Sequence, residues 1–117
     1  MSSKRLEMLE KMTASGKADS FAWYGLAMEY RSLGRNDDAL RTFETLRGND
    51  PGYVAQYLMA AQLLQKLGRA ADAKEWIAAG LDAARKKGDA HAAKELEGLL
   101  VELGGLAAFA QTTGDFG

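Results

Sequence analysis

The sequence predicts an all-α chain of about six helices, and three observations carry that expectation. A block of residues recurs after 34 positions: Leu33-Gly34-Arg35-x-x-Asp38-Ala39 returns as Leu67-Gly68-Arg69-x-x-Asp72-Ala73. At the same offset Trp23 answers Tyr57, Ala27 answers Ala61 and Phe43 answers Ile77, the aromatic, small and bulky positions that a shared packing geometry demands. Apolar residues fall at spacings of three and four, the period of one helix face. A single proline and abundant Ala, Leu, Lys, Glu and Arg favour helix over strand.

An opening helix is predicted over about Ser3 to Thr13, with Leu6, Leu9 and Met12 inward. Ser15-Gly16-Lys17-Ala18-Asp19 reads as a loop. In the next helix Trp23, Leu26, Ala27, Tyr30 and Leu33 share one face, and Gly34 ends it in the left-handed conformation. Asn36 is the expected N-cap of its partner helix, with Asp37 and Asp38 near the positive end of the helix dipole. Ala39, Leu40, Phe43 and Leu46 form the apolar side of that helix, and Asp50 and Pro51 are expected to open the following one. The second unit repeats the plan with Tyr57, Ala60, Ala61, Leu64 and Leu67, a turn at Gly68, then Ala73, Trp76, Ile77 and Leu81. Lys86-Lys87-Gly88 closes it with cations and a glycine, and Asp89 caps a last helix carrying Leu96, Leu99, Leu100 and Leu103.

Composition narrows the function. The formal net charge of -1, with both signs dispersed, lacks the basic field that nucleic-acid binding requires, so no nucleic-acid partner is expected. The absence of cysteine removes disulfides, thiolate metal sites and cysteine nucleophiles. No secretory signal is read at the N-terminus, and no run approaches the roughly 20 apolar residues that cross a bilayer. A cytoplasmic chain without membrane insertion is therefore expected.

No catalytic group, metal site or cofactor is expected either. His91 has no second ligand at metal spacing. Gly16-Lys17 lacks the glycine loop and strand of a phosphate site, and Asp115-Phe116-Gly117 has no kinase context. The carboxylate pairs Glu95/Glu97 and Asp37/Asp38 fit solvated helix faces, and nothing pairs a nucleophile with an oriented base.

Trp23-x-x-Leu26-Ala27-x-x-Tyr30, then Ala39-x-x-x-Phe43, then Pro51 resemble the tetratricopeptide repeat almost throughout, with Ala27 in place of the usual glycine. The second unit matches more loosely, through Tyr57, Ala61, Leu64, Ala73 and Ile77, and Arg85 stands where proline would close it. That departure points to a longer second helix. The resemblance covers about Ser20 to Lys87. It implies a right-handed α-α superhelix in one domain over 1–105: a helix at about 3–13, repeats at 20–53 and 54–87, and a capping helix at 89–103. The flanking helices supply the half-units that a short stack needs.

Family members that look like this hold partners on the concave surface made by the first helix of each pair. Subtracting the packing face leaves Phe21, Tyr24, Met28 and Arg31 in the first pair, and Leu58, Met59, Gln62 and Gln65 in the second, with Lys66 at the rim. Such a groove suits an apolar anchor from another protein or a peptide segment, making the chain an adaptor or scaffold. Tyr24 and Phe21 are the expected hot spots, and Met8 and Met12 can lie over the groove. A second reading has Phe21 and Met28 packing on the opening helix instead. One subtype of the family grips a terminal carboxylate with lysine, asparagine and arginine; Tyr24, Met28 and Met59 occupy those positions here, so that clamp is not expected.

The alternative function is self-association into a homo-oligomer through the end helices or the tail. In the tail, 106–117, charge thins out and Phe109 and Phe116 are the large anchors. It reads either as a loose terminus or as a segment docking on its own chain or a neighbour.

Overall fold

The computed structural model describes residues 3–104, and among these there are six helices and no strand. They are α1 (Lys4–Ala14), α2 (Ser20–Ser32), α3 (Asn36–Asn49), α4 (Ala55–Lys66), α5 (Ala70–Lys87) and α6 (Ala90–Glu102). The all-α helical repeat expected from the 34-residue period is therefore found. The chain divides into two compact units, Met1–Gln56 and Tyr57–Gly117, with the boundary inside α4. The tail expectation at 106–117 lies outside the described residues.

In the first unit α2 packs against both α1 and α3. Its core holds Leu6 of α1, Leu26, Ala27 and Tyr30 of α2, and Ala39, Phe43 and Leu46 of α3. Ser3 caps α1 by accepting from the Leu6 N–H, and Asp19 caps α2 by accepting from the Ala22 N–H. Each satisfies one of the backbone donors that a helix start leaves without a partner.

Both α2 and α4 end in the same way. Gly34 and Gly68 take positive φ of 75° and 77°, which a β-carbon would oppose. The next N–H then reaches five residues back, from Arg35 to the Tyr30 carbonyl at 2.9 Å and from Arg69 to the Leu64 carbonyl at 2.8 Å. The arginine side chain folds forward, so that Arg35 pairs with Asp38 and Arg69 pairs with Asp72, each at 2.9 Å. A 34-residue repeat of sequence is thus a repeat of turn, cap and ion pair.

In the second unit Tyr57 of α4 and Trp76 of α5 meet with ring centroids 5.9 Å apart. Gly80 lets α5 approach so closely that a β-carbon there would lie 2.5 Å from Tyr57 Cβ. α5 has 18 residues against 14 in α3, the lengthening that Arg85 pointed to. α6, capped by Asp89, buries Leu96 and Leu99 against α5.

Several local expectations are corrected. Met12 does not face inward; it is exposed, and Thr13 is buried in its place. Thr13 lies seven residues after Leu6, nearly two full turns, so it continues the buried stripe while Met12 turns away. The Thr13 hydroxyl meets the cost of burial by donating within reach of the Leu9 and Glu10 carbonyls. Leu33 and Leu67 are also exposed, because each sits at a helix end just before its glycine. Trp23 is half-buried.

Asn36 is the first residue of α3 rather than its N-cap, which is Arg35 without a side-chain cap. Asp50 does not open the next helix. It closes α3 through its N–H to the Leu46 carbonyl, and its carboxylate accepts from the Ser20 hydroxyl at 2.6 Å. Pro51 and Gly52 form a turn before α4. The Gln56 side-chain amide donates to the Asp50 carbonyl at 2.9 Å and holds that turn in place.

Candidate functional site

Phe21, Tyr24, Met28 and Arg31 lie on α2 at spacings of three, four and three, so they run along one stripe of the helix. Leu26, Ala27 and Tyr30 of the same helix are buried, whereas Phe21 stands clear of the unit's core. Phe21 is 71% exposed. The reading in which it serves the core by packing on α1 is therefore overturned. Tyr24, Met28 and Arg31 are half-buried.

Tyr24 does not stand alone. Its ring meets that of Tyr53 at a centroid distance of 5.4 Å and an interplanar angle of 48°, a tilted pair of the kind that aromatic quadrupoles prefer. Tyr53 follows the Pro51-Gly52 turn directly, and the Gln56 amide bond to Asp50 fixes that turn. Sequence reasoning missed Tyr53 because it falls outside the helical period. The available signal was an aromatic placed just after a tight Pro-Gly turn, where the backbone direction is set.

Burial raises the pKa of the Tyr24 hydroxyl, the neighbouring Tyr53 adds to the rise, and the Arg31 cation opposes it. Burial raises that of Tyr53 as well, and the carboxylates of Asp19 and Asp50 push it further. Both hydroxyls are neutral at physiological pH. The first unit thus presents an exposed phenyl ring, a half-buried tyrosine pair, a thioether and a guanidinium, with two carboxylates near one end.

On α4 the corresponding stripe is Leu58, Met59, Gln62 and Gln65, all half-buried, with Lys66 exposed at the helix end. It is less aromatic than its counterpart on α2 and carries amides in place of a cation. Tyr57, Ala60, Ala61 and Leu64 of the same helix are buried.

Among the described residues no group of three His, Cys, Asp or Glu side chains is arranged to hold a metal ion. His91 is exposed and meets Glu95 one turn later at 3.1 Å on the surface of α6. No helix among the described residues is long and apolar enough to cross a membrane.

Known proteins agree with this architecture. Residues 30–96, more than half of the chain, match the family model described as tetratricopeptide repeat. A TPR repeat-containing protein of Pseudomonas aeruginosa is 31% identical over 98 residues, covering 84% of this chain and 93% of that protein. The crystal structure of a tetratricopeptide repeat domain protein from Salinibacter ruber superposes with a TM-score of 0.70 at 34% identity, covering 76% of this chain and 99% of that one. The solution structure of a protein from Bordetella parapertussis gives a TM-score of 0.75 at 28% identity over 96% of both chains. Tetratricopeptide repeats generally mediate protein–protein interaction and are typically non-enzymatic. A period of 34 residues, turns and ion pairs repeated at that period, and these matches together place the chain in the tetratricopeptide repeat family.

Proposed function

We propose that the chain is an adaptor or scaffold module that holds a segment of another protein against the outward stripe of α2, centred on Phe21, Tyr24 and Met28. The stripe of α4, with Leu58, Met59, Gln62 and Gln65, offers a further contact surface of its own. The observation that carries this reading is Phe21, a phenyl ring 71% exposed on a well-formed helix and one turn from a half-buried tyrosine pair. An aromatic in that setting costs little side-chain entropy to order and removes much apolar surface from water when covered. The half-buried tyrosines give the covering segment a prepared floor.

The test is affinity capture from the native cell extract with the intact chain and with a Tyr24→Ala/Met59→Ala variant. Partners retained by the intact chain and lost by the variant are the expected result, with circular dichroism and thermal melting verifying that the variant remains folded. An identical set of partners on both would overturn the assignment to these stripes.

Self-association is the second reading, favoured by apolar side chains on the two end helices. Met8 and Met12 on α1 and Val101 on α6 are all exposed. Burying such residues against a second copy would gain hydrophobic free energy at roughly 25 cal/mol per Å².

A further inference from the structure

The tyrosine pair stands at an acidic end of the α2 stripe. Asp19 is fixed there because its carboxylate accepts from the Ala22 N–H at 2.9 Å. Asp50 is fixed at the same helix start, because its carboxylate accepts from the hydroxyl of Ser20, the residue after Asp19, at 2.6 Å. The Tyr53 N–H donates to the Asp50 carbonyl at 3.1 Å, which keeps the ring pair beside that residue, and after burial both carboxylates push the pKa of the Tyr53 hydroxyl further up. Arg31 lies on the same helix seven residues after Tyr24, about two turns further along α2. Charge along the stripe is therefore polarised, negative at the Tyr53 end and positive beyond Tyr24.

Resting on the reading that this stripe holds a partner's segment, we propose that Tyr24, Tyr53, Asp19 and Asp50 together receive a basic side chain, lysine or arginine, from that segment. The tilt of the two rings, 48°, keeps them from closing face to face. A cation near an aromatic face is attracted by the ring quadrupole, and more strongly where water is partly excluded. Each carboxylate already accepts one hydrogen bond from its own chain and keeps further lone pairs for a donor.

The two carboxylates also set the selectivity. An apolar residue laid over Tyr53 would strip water from Asp19 and Asp50 without replacing it, which costs free energy. An acidic residue would add repulsion to that cost. A lysine or arginine compensates both charges, and its aliphatic stem can lie along the Phe21 side of the stripe. The net charge of -1 for the whole chain gives no such preference by itself, so the selectivity belongs to this end of α2.

The test uses random dodecapeptides displayed on phage, selected on the intact chain and counter-selected on Tyr24→Ala. The expected result is that the selected peptides share a lysine or arginine at one position. Changing that residue to glutamine in a synthetic peptide should weaken binding about tenfold at low salt, equivalent to about 1.4 kcal/mol. An Asp19→Asn/Asp50→Asn variant should lose affinity for the basic peptide by a similar factor and bind the glutamine peptide as the parent does. Asparagine keeps an oxygen for the Ala22 N–H and for the Ser20 hydroxyl, so the fold is preserved, and circular dichroism and thermal melting verify this. Peptides that need Tyr24 but share no basic position, or a basic peptide indifferent to the two asparagines, would overturn this inference and leave the binding stripe standing. Failure to select any peptide that needs Tyr24 would remove both.

Discussion

Tyr30 is buried at the α2 position where the second repeat carries Leu64, and its hydroxyl donates to Glu10 Oε2 of α1 at 2.6 Å. Arg35 lies over the same ring at 4.7 Å, so one side chain joins the opening helix, the repeat helix and the turn that follows it. Burial first, and the bond to Glu10 second, push its pKa from the ordinary 10.0 up to about 12. The protonated hydroxyl is the form that donates. Its contribution to stability is therefore complete below pH 10, and it is lost as pH rises through about 12. Tyr30→Phe should lower stability by about 1–2 kcal/mol at neutral pH, a cost set by a hydrogen bond to a charged acceptor that is only half-buried. Urea denaturation of both proteins at pH 7 and at about pH 11 checks the assignment, since the phenylalanine variant should lose less on going to the higher pH. Equal losses would place the alkaline sensitivity elsewhere.

At the scale of single helices, two glycines separate close packing from intrinsic propensity. Gly80 of α5 faces Tyr57 Cβ at 2.5 Å and Leu96 Cδ1 at 3.0 Å from where its own β-carbon would be, whereas Gly98 of α6 has nothing within 4 Å. Gly80→Ala should destabilise by about 1–3 kcal/mol, because Tyr57 Cβ moves only with its helix. Gly98→Ala should stabilise by up to about 1 kcal/mol through helix propensity alone. Chemical denaturation of the two variants reads the opposite signs directly, and a gain in both would mean that α4, α5 and α6 are not in close contact at Gly80.

Those helices were legible in the sequence wherever the chain repeats itself. Leu26, Ala27, Phe43, Ala61 and Ile77 are buried as their spacing requires, and Gly34 and Gly68 turn the chain as a left-handed residue must. Misreadings arose where residue type and position disagree. Met12 is apolar but falls off the stripe, while Thr13 is polar but lies on it and satisfies its hydroxyl locally. Asp50 has the chemistry of a cap, yet its carboxylate accepts from Ser20, a partner 30 residues away that only the folded chain brings near. For the proposed binding stripe, the α2 residues followed from subtracting the packing face. Tyr53 and the two carboxylates did not, because they join the stripe through a turn whose path no periodicity encodes.

On the scale of the whole molecule, Met8, Met12 and Val101 are exposed on the end helices among the described residues, and Phe21 is exposed on α2. Whether that surface is kept for another protein or for a second copy decides between a module and an assembly. The most direct measurement is sedimentation equilibrium of the intact chain from about 1 μM to 1 mM, a range that spans association free energies of about 8 to 4 kcal/mol. A mass that stays at the 12.6 kDa of one chain is the predicted result, with the α2 stripe open to a partner. A concentration-dependent dimer that Tyr24→Ala returns to monomer would contradict it, because the stripe would then already be filled by the protein itself.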